Sequence, residues 1–205
     1  MDLVLAIDSS SSVIADNVPD PLQDFTLQKN FLKNIVQGLP VGTDTRVSTV
    51  RYASDSNVFF RFNDYENSIN IQDAIWSIRF SGGSTNTAGA LQMISDDVMG
   101  LQNGARPGAR DVLVILTDGL SNMNQNFTAG NAQLLKDAGF EIFTVATSKE
   151  VNMAELEVIA SSPVSRHLFQ TQNSSALEDI VDTVVHRICN LPDPTVTPTP
   201  ENGKS

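Results

Sequence analysis

The fold turns on "LVLAIDSSSSV", residues 3–13. Five apolar residues run without a break, stop at the carboxylate of Asp8, and give way to four serines. A run that is apolar at every position, rather than at alternate ones, is the pattern of a strand buried on both faces. The stretch "VLVILTDG", residues 112–119, repeats the pattern and stops at Asp118.

Helical spacing fills the intervals. In "DFTLQKNFLKNIVQGL" (24–39), Leu27, Phe31, Ile35 and Leu39 recur every fourth residue. "INIQDAIWSI" (69–78), "AGALQMISDDVM" (88–99), "AGNAQLLKDAG" (129–139) and "NMAELEVIAS" (152–161) also read as helices, with Gly139 as a C-terminal cap. In "SALEDIVDTVVHRIC" (175–189), Leu177, Ile180, Val184 and Ile188 share one face. "TRVSTVRYAS" (45–54) and "NVFFRF" (57–62) predict a hairpin, and "EIFTVAT" (141–147) and "RHLFQT" (166–171) predict further strands. The alternation predicts an α/β fold: an open, mainly parallel sheet with one antiparallel edge strand and helices on both faces. Residues 1–190 are expected to form the domain. The proline-rich stretch "LPDPTVTPTPENGKS" (191–205) is expected to be a linker or disordered tail.

The chain has 205 residues and a formal net charge of −11, from 13 basic and 24 acidic side chains. That balance argues against nucleic acid or an anionic membrane as partner. No stretch has the length and apolarity of a membrane span, and none reads as a signal peptide. With a strand starting so near Met1, the chain is expected to be part of a larger multidomain protein. The two histidines, His167 and His186, have no cysteine beside them, so they are expected as ordinary surface or half-buried residues. Phe59, Phe60, Phe62, Trp76 and Phe80 are expected to pack alternately into the core. Asp55, Asp64 and Glu66 form at most a weak calcium site near the hairpin. Asn126 ("NFT") and Asn173 ("NSS") are candidate N-glycosylation sites.

In parallel sheets, ligands gather at the carboxyl ends of the strands, where the strand order reverses. Asp8 and Asp118 both end strands there, and two such carboxylates repel unless a cation joins them. Ser10 and Ser12 add hydroxyl oxygens. An all-oxygen donor set suits Mg²⁺, Mn²⁺ or Ca²⁺ and disfavours zinc or copper. A solvated loop capping a helix is the competing structural reading of a serine-rich turn. No general base or nucleophile pair accompanies these residues, so no enzyme activity is expected.

"DSSSS" (8–12) resembles the Asp-x-Ser-x-Ser signature of von Willebrand factor type A domains, and "GGSTNTAGAL" (82–91) and "VLVILTDG" resemble that family's threonine loop and aspartate strand. The likeness runs from Asp2 to Cys189 and is strongest toward A domains of matrilins and related matrix proteins. It implies a Rossmann-like fold and a metal-ion-dependent adhesion site formed by Asp8, Ser10, Ser12, Thr85 and Asp118, with Thr85 preferred to Thr87. The cation it implies is one Mg²⁺, with Mn²⁺ or Ca²⁺ as substitutes, and a partner's Glu or Asp would complete the coordination. It further implies a secreted, extracellular-matrix adhesion module whose partner is collagen or another matrix protein. The alternative is a structural matrix or biomineral component that binds calcium or polysaccharide through its acidic surface. The single cysteine, Cys189, matches the second of two family cysteines, so its disulfide partner would lie outside the chain. Such a bridge would restrain the last helix. Ser9 and Ser11 stand where many members have Gly, and Ser11 is expected to alter the turn slightly. The longer stretch "IADNVPDPLQD" (14–24) is expected to shape ligand choice. The short connection after "EIFTVAT" leaves no room for the extra helix of collagen-binding integrin domains.

Overall fold

The computed structural model describes residues 1–13, 20, 22–148 and 151–190. The expected tail and most of the stretch before the first helix lie outside the described residues. Six strands form one sheet in the order β3-β2-β1-β4-β5-β6. They are β1 (Asp2–Asp8), β2 (Arg46–Tyr52), β3 (Ser56–Phe60), β4 (Asp111–Thr117), β5 (Glu141–Ala146) and β6 (Leu168–Gln170). All neighbours are parallel except β2 and β3, which pair antiparallel as the hairpin predicts.

β1 and β4 lie side by side, with Leu3 opposite Val112 and Ile7 opposite Leu116. From β1 the chain moves outward to β2 and β3, then returns to β4 and moves outward the other way. The reversal of strand order therefore falls between the two strands that end in aspartate.

The two faces of β1 divide the core. Leu3, Leu5 and Ile7 pack with Phe31 and Ile35 of α1 (Gln23–Gly38), Ile71 and Ile75 of α2 (Ser68–Ser77), and Val184 and Ile188 of α7 (Val181–Ile188). Val4 and Ala6 face Leu91 of α3 (Thr87–Met93), Leu135 of α4 (Gln125–Asp137) and Ile159 of α5 (Met153–Ile159). All five of these β1 residues are fully buried, so truncating Leu5 to Ala would cost about 2–5 kcal/mol.

Four local expectations are corrected. Residues Val164–His167 are a helical turn, α6, and only Leu168–Gln170 is strand; Pro163 starts the turn and its carbonyl bonds His167 Nδ1 at 3.0 Å. The last helical segment begins as a 3₁₀ turn, Ser174–Ile180, before α7. The three-residue step from Leu177 to Ile180 suits that tighter winding, and the four-residue steps to Val184 and Ile188 suit an α-helix. After Met93, α3 widens into a π turn over Ile94–Val98. Trp76 is not core: it is 48% exposed, whereas Phe60 and Phe62 are buried. Because α2 buries Ile71, Ala74 and Ile75, the next residue is rotated about 100° away from the core.

Candidate metal centre

Three loops meet where β1 and β4 end. The first carries Asp8, Ser10 and Ser12; the second, between α2 and α3, carries Thr85; the third follows β4 and carries Asp118. Backbone bonds stitch them together. Gly82 N–H donates to Ser9 O at 2.8 Å, and Ser11 N–H to Gly83 O at 3.0 Å. Asn122 and Met123 N–H both donate to Thr85 O, at 3.0 and 3.1 Å, while Thr85 N–H returns a bond to Asn122 Oδ1 at 3.0 Å. The threonine loop is thus clamped from both sides. Gly83 makes the close approach possible: its φ is +89°, and an added Cβ would stand 2.6 Å from Ser54 Oγ.

The side chains converge accordingly. Thr85 Oγ1 donates to Ser10 Oγ at 2.9 Å, and Ser12 Oγ lies 3.1 Å from Ser10 Oγ and 3.4 Å from Thr85 Oγ1. Thr87 instead begins α3, and its buried hydroxyl has no partner among the described residues. Asp8 Oδ1 accepts from Ser10 N–H at 2.8 Å, and Asp118 Oδ1 from Leu120 N–H at 3.0 Å. The other oxygen of each, Asp8 Oδ2 and Asp118 Oδ2, is buried without a hydrogen-bond partner among the described residues.

Two buried carboxylates, each with an unsatisfied oxygen, are costly in a low-dielectric setting. Burial, and then the charge of Asp118, push the Asp8 carboxyl from 3.8 up to about 7, against opposing bonds from Ser10. A divalent cation fits this donor set: two carboxylate oxygens with free lone pairs, three hydroxyls, and no nitrogen or sulfur. Beside the rim runs an open groove of about 240 Å³, bordered by Ser12, Asp24, Asp118, Thr147, Gln172 and Asn173.

Several contributors carry no sequence signal. Ser54 Oγ accepts Ser84 N–H at 2.9 Å, and Asn122 holds Thr85; both act through backbone groups. Tyr52, fully buried, donates its hydroxyl to Leu116 O at 2.7 Å and supports the strand that leads to Asp118. Half-buried Glu155 on α5 has its carboxyl raised by burial and by Asp118, and Ser121 opposes this. Ser11 does not strain its turn: it has no positive φ, and its Oγ accepts Gly83 N–H at 2.8 Å.

The remaining candidates are dispersed. Asp64 Oδ2 accepts Arg61 N–H, and no cluster of three or more His, Cys, Asp or Glu among the described residues is arranged to hold a metal. His167 is not at the surface; it is 3% exposed, with Nε2 2.8 Å from Glu141 Oε1. Asn126 lies exposed in the first turn of α4, whereas Asn173 Oδ1 accepts from Ala176 N–H at 3.2 Å and borders the groove. Cys189 is a half-buried free thiol at the end of α7, its pKa raised by burial. Among the described residues, no helix is long and apolar enough to cross a membrane.

Matrilin-1 of Gallus gallus is 33% identical over 195 residues, covering 95% of this chain and 37% of that protein. The collagen alpha-1(XII) chain of Notophthalmus viridescens is 29% identical over 196 residues, covering 92% of this chain and 19% of that protein. The chain thus spans well under half the length of these relatives. The structure of proximal thread matrix protein 1 from the mussel byssus with a zinc-occupied MIDAS motif superposes with a TM-score of 0.80. It is 28% identical and covers 92% of this chain and 45% of that one. The model of the von Willebrand factor type A domain matches residues 2–183, and with the sheet order and three-loop rim described above, the chain belongs to that family.

Proposed function

We propose that the rim binds one divalent cation, Mg²⁺ in preference to Mn²⁺ or Ca²⁺, held by Asp8, Ser10, Ser12, Thr85 and Asp118 directly or through water. The observation that carries this is the pair of buried, unpartnered carboxylate oxygens beside three mutually bonded hydroxyls. The bound cation would supply a Lewis-acidic position open to a Glu or Asp carboxylate from a partner protein. The chain's own part is to keep the donors in place before binding, which the loop-to-loop bonds do.

The role is adhesion within an extracellular matrix, as part of a longer secreted protein, with collagen or another matrix protein as partner and no catalytic step. Support comes from the named relatives, which include a collagen chain and a thread matrix protein. That the thread protein's motif takes zinc supports occupancy by a divalent ion, while oxygen-only donors here favour the harder Mg²⁺. Of the two sequons, Asn126 is the site compatible with binding, since a glycan on Asn173 would cover the groove.

Cys189 is proposed to bridge to a cysteine preceding β1. Arg110 Nη1 bonds Ile188 O and lies 3.8 Å from Met1 Sδ, so the start of β1 and the end of α7 are neighbours. The test of function is binding to immobilised collagen and other matrix proteins with and without chelator. Retention that ignores both chelator and Asp118→Ala would contradict the proposal.

A further inference from the structure

The lone tryptophan of the chain lies on the solvent-facing side of α2, where Lys29 and Lys33 of α1 reach it. Trp76 is 48% exposed, and two lysines from one side of α1 lie against its ring. Lys29 Nζ is 4.6 Å and Lys33 Nζ 4.9 Å from the ring centroid. Lys29 also donates to the carbonyls of Trp76 and Ile78, at 3.1 and 3.4 Å, and so closes the end of α2. That structural duty explains one lysine. It does not explain Lys33, whose ammonium has no hydrogen bond beyond the ring contact among the described residues.

Neither ammonium has a carboxylate within 4 Å among the described residues, although the chain carries 24 acidic side chains against 13 basic ones. Asp73, one turn before Trp76 on α2, does not pair with them. Two cations four residues apart on one helix face repel, and this mutual charge adds to burial in lowering the Lys29 pKa. Ile69, seven residues before Trp76, is a second exposed apolar side chain on α2, at 70%, with polar Gln72 and Asp73 between the two.

We infer that Trp76, Lys29 and Lys33 form a binding site for an anionic polysaccharide, a sulfated or carboxylated sugar chain. A flat, half-open indole offers a surface for the C–H face of a sugar ring, and the flanking ammoniums match anionic groups on that ring. An acidic peptide satisfies the two charges but offers no such face for the indole. The net charge of −11 opposes any polyanion at long range. At physiological salt the screening length is about 8 Å, so the local cations decide. The site uses none of the five rim residues and needs no cation, which makes it independent of the proposed metal function.

Because Trp76 is the only tryptophan, its fluorescence reports on this site alone. The probe is a size-defined heparin octasaccharide titrated into the full chain, with chelator present. A saturable change is expected, unaltered in Asp118→Ala, weakened roughly two- to fivefold in Lys33→Gln, and kept in Lys33→Arg. Arg61→Gln, an exposed cation elsewhere, should leave it unchanged. No fluorescence response would overturn the inference, as would equal sensitivity to Arg61→Gln or dependence on divalent cation. An equal response to poly-glutamate would assign the surface to acidic protein segments and overturn the sugar assignment.

Discussion

Thr85 Oγ1 donates to Ser10 Oγ at 2.9 Å, joining residues 75 positions apart in the chain. With Ser12 Oγ 3.1 Å from Ser10 Oγ and 3.4 Å from Thr85 Oγ1, three hydroxyls form a triangle beside Asp8 and Asp118. A hydroxyl has one proton and two lone pairs, so a triangle of hydroxyls keeps acceptor capacity for a cation.

Replacing Thr85 by Val keeps the shape and removes the hydroxyl. Thr85→Val is expected to lose about 1 kcal/mol of stability in urea titrations. Cation affinity should fall roughly 10- to 100-fold, as when positioning partners of metal ligands are removed. Unchanged affinity would mean that Thr85 orders the loop without serving the site.

Glycines separate backbone from side-chain effects. Gly83→Ala must place a Cβ at a φ of +89° and 2.6 Å from Ser54 Oγ, so it should lose about 1–3 kcal/mol and displace the threonine loop. Gly130, inside α4 with nothing within 4 Å, should gain roughly 0.5–1 kcal/mol on conversion to Ala. Chemical denaturation of the two variants decides the matter; a stabilised Gly83→Ala would show that the loop backbone is not constrained.

Asp8 makes the metal-free protein pH-sensitive. Its folded-state pKa is raised to about 7 from 3.8, so its contribution is fully favourable below about 4 and is lost as pH rises through 7. In chelator, stability should therefore decline between pH 4 and 7, and Asp8→Asn should flatten that decline. Cation affinity should run the other way, falling as pH drops below 7 because a proton competes for the same oxygens. Identical pH profiles for the parent chain and Asp8→Asn would rule this out.

The far end of the sheet holds α7 in place. Arg110 pairs with Glu141 of β5 and bonds Ile188 O, while Arg166 Nη2 donates to Arg187 O at 2.9 Å. Arg110→Met should cost about 1–2 kcal/mol, reduced from a buried pair by its partial exposure. Amide exchange should accelerate in α7 before it does in β1. Exchange rates unaltered in α7 would show that Arg110 is not its anchor.

Much of this architecture was legible because its signals are local. β1 and β4 are buried on both faces, so their apolar runs are continuous, and each aspartate falls at a strand end that topology brings to one rim. Thr85 was legible only through family resemblance; no periodicity singles it out from Thr87. Ser54 and Asn122 were invisible because they bind backbone N–H groups of distant loops. Trp76 was misplaced because hydrophobicity alone assigns tryptophan to the core, while the helix phase set by Ile71, Ala74 and Ile75 turns it outward. The 3₁₀ start of the last helix was written in the three-residue step from Leu177 to Ile180, which also fits an α-helical face.

The measurement that bears most directly on the central claim is calorimetric titration of Mg²⁺, Mn²⁺ and Ca²⁺ into metal-free protein, beside Asp118→Ala. One saturable site, lost in the variant and accompanied by proton release near neutral pH, is the predicted result. Absence of saturable binding, or binding that persists in Asp118→Ala, would contradict the account and leave a von Willebrand factor A fold whose rim holds no cation.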